Sequence, residues 1–258
     1  MTMATDAHRK GKDFDRTLFL IAFGLACFTA AARGQRQTET PPALLWDGER
    51  QLEEGRSTLD ERTLTAARTI FETCVHKDSK NSHCYYDLAR ADSYLVRVKE
   101  SQNDKKAAER WLDSAIDNAR RFMVFNDRSA EAHALLADLY GSKIGFGGAF
   151  AAMRYGPKAN AEDQLALQLD ANNPRAYGVA GRRYLYSPKM FGGDLDKAID
   201  AFRKATALDP HGDEAFVWLA IAYRKKRDET RAQMAIAEAL RLNSRSVFAK
   251  RIQSGSAD

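Results

Sequence analysis

The stretch Leu195–Pro210, LDKAIDAFRKATALDP, decides the fold. Leu195, Ala198, Ile199, Phe202, Ala205 and Leu208 recur at spacings of three and four, which places them on one face of a helix. Asp194 is suited to cap its start. Asp209-Pro210 ends it, because proline disfavours helical backbone in the residue before it. A second helix follows over about Asp213 to Arg224, with Phe216, Leu219, Ala220 and Tyr223 on one face. A third, Thr230 to Leu242, carries Ala232, Ile236, Ala239 and Leu240. Each apolar stripe is too narrow to stand alone, and short connections make such helices antiparallel neighbours.

The pattern repeats. Moving 34 residues on from Ala198, Phe202, Ala205 and Pro210 gives Ala232, Ile236, Ala239 and Ser244. Small, large, small and terminator fall in register. Alanines let two helices approach closely, and the large residues fill the space to the next pair. Earlier copies are looser. Tyr177, Ala180-Gly181 and Tyr184 repeat Phe216, Leu219-Ala220 and Tyr223, as do His133, Leu136-Ala137 and Tyr140, and Tyr85, Leu88-Ala89 and Tyr94. Ala67, Phe71 and Cys74, and then Ala108, Leu112 and Ala115, match Ala198, Phe202 and Ala205.

These residues resemble the tetratricopeptide repeat, a helix pair with a 34-residue period. The resemblance covers about residues 43–250 and implies an all-α fold: a right-handed superhelical α-solenoid of about five helix pairs. The pairs are expected to start near Pro42, Asn81, Ser129, Pro174 and Asp213, with a closing helix over Ser246 to Gln253. Three pairs exceed the period through insertions at Val96–Lys105, Lys143–Pro157 and Leu185–Asp194. The last two combine glycines with aromatics, and Gly145-Phe146-Gly147-Gly148 reads as a tight loop between two helices. The run Tyr184 to Pro210 is more distantly similar to the periplasmic helical-repeat component of TRAP-type transporters.

The opening of the chain reads as an address. A basic segment through Arg16 precedes Leu18 to Ala32, which carries no charge and ends in Ala30-Ala31-Ala32. Such a stretch is shorter than the ~20 residues a membrane span needs and has the form of a secretory signal peptide. The expected organisation is a signal at 1–34, cleaved after Ala32 or Gly34, a tether at 35–42, the repeat domain at 43–253 and a disordered tail at 254–258. The expected location is the periplasm or the exterior. An uncleaved N-terminal anchor and a lipoprotein acylated at Cys27 are the alternatives.

Hydrophobic residues make up 44% and charged residues 29%, a balance that can bury a core. The 40 basic and 35 acidic residues are interleaved, without the basic stripe that tracks phosphates, so no nucleic-acid partner is expected. A membrane contact is expected only through the N-terminal segment if it stays uncleaved. No Gly-Lys-Ser follows the glycine cluster, and no Gly-x-Ser-x-Gly elbow is present, so neither a phosphate loop nor a serine nucleophile is supported. Adjacent carboxylates such as Asp228-Glu229 read as helix caps. Cys74, His76, His83 and Cys84 lack a usual zinc spacing. No enzyme activity, metal or cofactor is expected. Cys74 and Cys84 instead lie on either side of one turn between antiparallel helices, where a disulfide is within reach and suits an exported chain; two free cysteines, one standing in for alanine, are the alternative.

The leading functional reading is an exported scaffold that binds a protein or peptide. The resemblance places the first helix of each pair on the inner, concave surface. His83, Tyr86, Arg90, Tyr94, Asp138, Arg175, Arg182, Tyr186, Glu214 and Arg224 are the candidate contact residues there, rich in the arginines and aromatics that anchor interfaces. They are expected to matter for binding and little for stability. The alternative is a periplasmic small-molecule or lipid carrier serving a transporter. It requires Phe146, Phe150, Tyr155, Tyr184, Tyr186 and Phe191 to line one closed pocket.

Overall fold

The computed structural model describes residues 42–255. The signal segment at 1–34, the tether up to residue 41 and the last three residues lie outside the described residues. Ten α-helices follow in order: α1 (Pro42–Thr58), α2 (Glu61–Lys77), α3 (Ser82–Ser101), α4 (Lys105–Phe125), α5 (Ala130–Leu169), α6 (Pro174–Tyr186), α7 (Leu195–Leu208), α8 (Asp213–Lys225), α9 (Glu229–Leu242) and α10 (Val247–Gln253). A single 3-10 turn, Lys189–Phe191, separates α6 from α7, and no strand occurs among the described residues. Pro42 is already the first residue of α1, where its missing N–H costs nothing.

The helices pair as the spacing predicts. Ala198, Phe202 and Ala205 of α7 are fully buried, as is Ala239, with Ala232 and Ile236 of α9 nearly so. The same small and large residues lock α2 into the first pair, where Leu64, Ala67 and Phe71 have no exposure and Cys74 almost none. Gly181 lies flat on Phe202, and an added Cβ would meet that ring at 2.5 Å. Polar chemistry fixes the ends. Asp60, Asp104, Ser129, Asn173, Asp194, Asp228 and Ser246 each accept from a backbone N–H in the first turn of the helix they precede, which satisfies donors the helix cannot.

The turn within each pair uses one left-handed residue. Leu59, Asn103, Gly148, Gly192 and Arg227 have φ of 49°, 58°, 59°, 87° and 63°, one for each of the five pairs. Two of the three expected insertions differ from a loop. Val96–Lys105 extends the helices of the second pair instead, because buried Val96 and Val98 continue the apolar stripe of α3. The glycine cluster of the third pair is helical on both sides of Gly148, the one residue inside α5 with non-helical backbone. His133 reaches Glu162 at 2.5 Å, and the ring centroids of Tyr140 and Tyr155 lie 5.7 Å apart. Those contacts make residues 130–147 and 149–169 an antiparallel hairpin turned on one glycine. The alanines around it favour helix strongly enough to remove the loop. The third insertion is a loop, in which Gly193 passes so close to the Ser187 carbonyl that a Cβ would sit 1.8 Å from its oxygen.

A buried carboxylate joins the first two pairs. Asp92 of α3 is completely enclosed. It accepts from Arg68 Nε of α2 at 2.6 Å, and from Ser114 Oγ and Asn118 Nδ2 of α4 at 2.7 and 2.9 Å. Three donors on two helices satisfy a charge that burial would otherwise make costly. Burial pushes its carboxyl pKa up, against the pull of Arg68.

Candidate binding surface

The first helices of the five pairs are α1, α3, residues 130–147 of α5, α6 and α8. Their inner faces are joined by charge. Glu53 of α1 accepts from Arg90 of α3 at 2.5 Å. Tyr86 of α3 donates to Glu131 of α5 at 3.1 Å. Arg175 of α6 donates to the same Glu131 at 2.7 Å, and Arg182 to Asp138 at 3.0 Å. Both of these bonds span 44 residues, so α5 and α6 run parallel in a constant register. Arg182 also lies 5.2 Å over the Trp218 ring of α8.

Two further contacts cross the face rather than run along it. Arg97 of α3 donates to Glu214 of α8, and Arg56 of α1 donates to Asp213 of α8 at 2.8 Å. Asn243, after α9, donates to Ser57 at 2.9 Å, and Arg245 to Glu54 at 2.9 Å. The repeat unit therefore meets itself, its first helix bonded to its last pair.

The electrostatics follow from this convergence. Burial opposes ionisation of Glu214, but Arg97, with Arg182 and Arg56 nearby, holds its carboxyl well below the usual range. Burial works against Glu131 too, and the Arg175 charge with donors from Arg175, Asn173 and Tyr86 overrides it. Arg175 is held protonated first by Tyr86 and then by Glu131, against burial. Burial pushes Asp87, beside Arg90, up to about 6. Glu214 and Arg175 keep 28% and 30% of their side-chain exposure although protein surrounds them. Water therefore still reaches both charges. Arg90 Nε is buried without a partner.

Of the ten candidate residues, the structure brings together Tyr86, Arg90, Tyr94, Asp138, Arg175, Arg182 and Glu214. Tyr94 is buried in the core formed with Leu52, Phe71 and Leu95, and it shares its field with Arg56, Arg90, Arg97 and Arg175. The other three sit at the margins of this group. His83, at the start of α3, sits 6.3 Å from the Phe122 ring. Tyr186 is edge-on to Trp218 at 6.2 Å, beneath Lys225. Arg224 donates to the Ile252 carbonyl and anchors α10. Glu53, Arg56, Arg97, Asp213 and Trp218 belong to the surface but escape the sequence pattern. Arg97 lies in the extra turns of α3, and α1 matches the repeat least well.

Cys74 and Cys84 form a disulfide across the α2–α3 turn, with Cα atoms 6.2 Å apart. The bond uses both sulfurs that a zinc site would need, and no cluster suited to a metal occurs among the described residues. The aromatics of the carrier reading do not converge. Phe150 and Phe191 are 79% and 70% exposed, whereas Phe146 and Tyr155 pack on the core of α4 and α5, and Tyr184 on that of α7 to α9. Two clefts of about 350 and 740 Å³ lie elsewhere, along α2 to α4, lined mainly by polar residues such as Glu61 and Arg110 or Thr65 and Gln102.

This architecture is that of an α-solenoid of helix hairpins. It is a tetratricopeptide-repeat fold: the tetratricopeptide family model matches residues 190–211. A solved thermophilic tetratricopeptide protein of Thermus thermophilus is similar, with 17% identity and a TM-score of 0.59 over 81% of this chain and 98% of that one. The MamA protein is 19% identical with a TM-score of 0.41, covering 86% of this chain and 98% of its own. YrrB, a tetratricopeptide protein described as having an unusual peptide-binding site, is 16% identical with a TM-score of 0.39 over 85% and 98%. The Thermus likeness concerns fold alone, and the other two are too distant to support an argument. No curated protein matches.

Proposed function

We propose that this protein is an exported, non-enzymatic scaffold that binds a protein or peptide on the concave face formed by α1, α3, α5, α6 and α8. One observation carries the reading: five successive first helices present a continuous, water-reached row of arginines, carboxylates and tyrosines. Backbone groups and charged side chains of an extended segment find donors and acceptors along such a row. Each ion pair on this face that a ligand displaces must be replaced by an equivalent pair. Selectivity then follows, since a mismatched ligand leaves a partly desolvated charge alone. Export is supported by the Leu18–Ala32 pattern and suits the Cys74–Cys84 disulfide, which persists in oxidising compartments.

The test is in-cell crosslinking of the full chain in its own host, comparing wild type with Arg175→Ala and Arg90→Ala. A partner captured by wild type and lost in both variants, with both still folded by circular dichroism, supports the reading. The same partners captured equally by all three would place binding elsewhere. Detection of the mature chain in the periplasmic or extracellular fraction tests export.

A further inference from the structure

Two unusual tips end the first helices of the third and fourth pairs, which the Glu131–Arg175 and Asp138–Arg182 bonds hold parallel and adjacent. Gly148 lies at the far end of the first of these helices, and Gly192 lies in the turn that follows the second. Both glycines have positive φ and turn the chain back at the same end of the solenoid. Large apolar side chains stand out from each. Phe150 and Met153 are 79% and 81% exposed on the first tip, and Met190 and Phe191 are 82% and 70% exposed on the second. Single exposed hydrophobes are ordinary, but four of this size on two adjacent turns are not. Phe150 and Met153 share one face of their helix with Arg154, while Ala151 turns inward to the core.

Charge is segregated in the same way. Residues 139–161 contain Lys143, Arg154 and Lys158 and no acid, and residues 171–193 contain Arg175, Arg182, Arg183 and Lys189 and no acid. In a chain with 35 acidic residues this is a local bias, and the exposed members at the tips are Arg154, Lys158 and Lys189. Lys143 is already engaged by Asp113, and Asp194 marks where the bias ends. Two tyrosines sit behind the apolar tips with cations over their rings. Arg154 and Lys158 lie 5.3 and 5.7 Å from Tyr155, and Lys225 5.4 Å from Tyr186.

We infer that this end of the solenoid, formed by the tips at Gly148 and Gly192, docks onto an anionic phospholipid bilayer. Phenylalanine and methionine enter the acyl boundary, tyrosine rests at headgroup depth, and lysine and arginine pair with lipid phosphates. Acid-free cationic flanks favour a negatively charged surface over a neutral one. The concave face, on the first helices, stays free for its own partner.

The test is flotation of the full chain with phosphatidylcholine vesicles containing about a third phosphatidylglycerol, against phosphatidylcholine alone. Wild type is expected to float with the anionic vesicles and to lose binding as salt rises. The quadruple change Phe150→Ser, Met153→Ser, Met190→Ser and Phe191→Ser should lower the bound fraction on the order of tenfold. Arg154→Glu with Lys158→Glu and Lys189→Glu should abolish the preference for anionic lipid. Val124→Ser, an exposed change at the opposite end, should do neither. Unchanged melting checks that the variants fold, as all four apolar positions are exposed. Equal flotation of wild type and tip variants would assign membrane contact to residues 18–32 and overturn the proposal. Absence of flotation would overturn it as well, leaving the patch to a protein.

Discussion

Arg56, near the end of α1, donates to Asp213, the first residue of α8, at 2.8 Å across 157 residues of chain. Asp213 is almost enclosed and also accepts from Asn243. Solenoid repeats touch only their neighbours, so a bond between the first and fifth pairs makes the two ends cooperate. Arg56→Ala is expected to cost about 1–3 kcal/mol, because it strands a buried carboxylate that is otherwise worth little as a pair. Chemical denaturation should report the loss. Small-angle scattering should report a larger radius if the pair also holds the curvature. The charge reversal Arg56→Asp with Asp213→Arg should recover part of the stability, which a purely steric role would not permit.

Three of the five left-handed turn residues are not glycine. Arg227, with φ of 63°, holds a conformation that a Cβ disfavours. Its side chain is exposed at the α8–α9 turn. Arg227→Gly should therefore stabilise by about 0.5–1 kcal/mol, even after the added entropy of the unfolded chain. Gly148→Ala carries the opposite sign: open space surrounds the site, so the backbone alone, at φ 59° and ψ −143°, a region essentially reserved for glycine, sets a loss of about 1–3 kcal/mol. Melting curves of the two variants should move in opposite directions. A shared direction would mean that contacts, not backbone conformation, dominate these turns.

The last two pairs were legible because their turns are minimal and their period is undisturbed. Ala198, Phe202, Ala205 and their counterparts in α9 could be read as buried from spacing alone, and they are. The helix pairing around Gly148 was legible, but the loop expected there was not, since alanine propensity outweighs a cluster of glycines once residues 130–147 and 149–169 have each other to pack on. The inner row was legible only in part. Tyr86, Arg90, Arg175, Arg182 and Glu214 were named from the resemblance to the repeat, which puts the first helix of each pair inside. Arg56–Asp213 and Arg97–Glu214 do not, because which ends meet depends on rotations accumulated over several pairs, and no local period records that sum. The same cross-links give the concave arginines a structural duty that the sequence did not suggest.

Asp87 and Glu214 link acid to stability with opposite signs. Burial raises Asp87 from 3.8 to about 6. Between those values the folded protein holds a proton that the unfolded chain has released, so this residue makes stability fall as pH rises through the window. Asp87→Asn should remove that slope and stabilise at pH 7 by about 1–3 kcal/mol. Glu214 behaves in the contrary way: its depressed folded value contributes stability above 4.5 that is lost as pH falls below it. Glu214→Gln should lose stability at neutral pH and flatten the acid limb. Denaturation midpoints from about pH 3 to pH 8 test both, on the scale over which carboxylates titrate. An unchanged profile in Asp87→Asn would show that the carboxyl relaxes towards water.

The disulfide offers the sharpest measurement on the N-terminal half. Cys74 occupies the small position that Ala205 and Ala239 fill in later pairs, and Cys84 opens α3, both nearly unexposed. Ten residues separate them in sequence. Closing so short a loop removes freedom from the unfolded chain and contributes roughly 2–3 kcal/mol in the chain-entropy view. Reduction should lower the melting temperature, but Cys74→Ala with Cys84→Ala should recover none of it, since alanine already suits the first site sterically and only the crosslink is missing. Thiol titration of unfolded, unreduced protein separates the cases. No reactive thiol among these two, with melting sensitive to reductant, is the expected result. Two titrating thiols in protein purified from its own host would show that the sulfurs stay reduced and that packing alone holds α2 against α3.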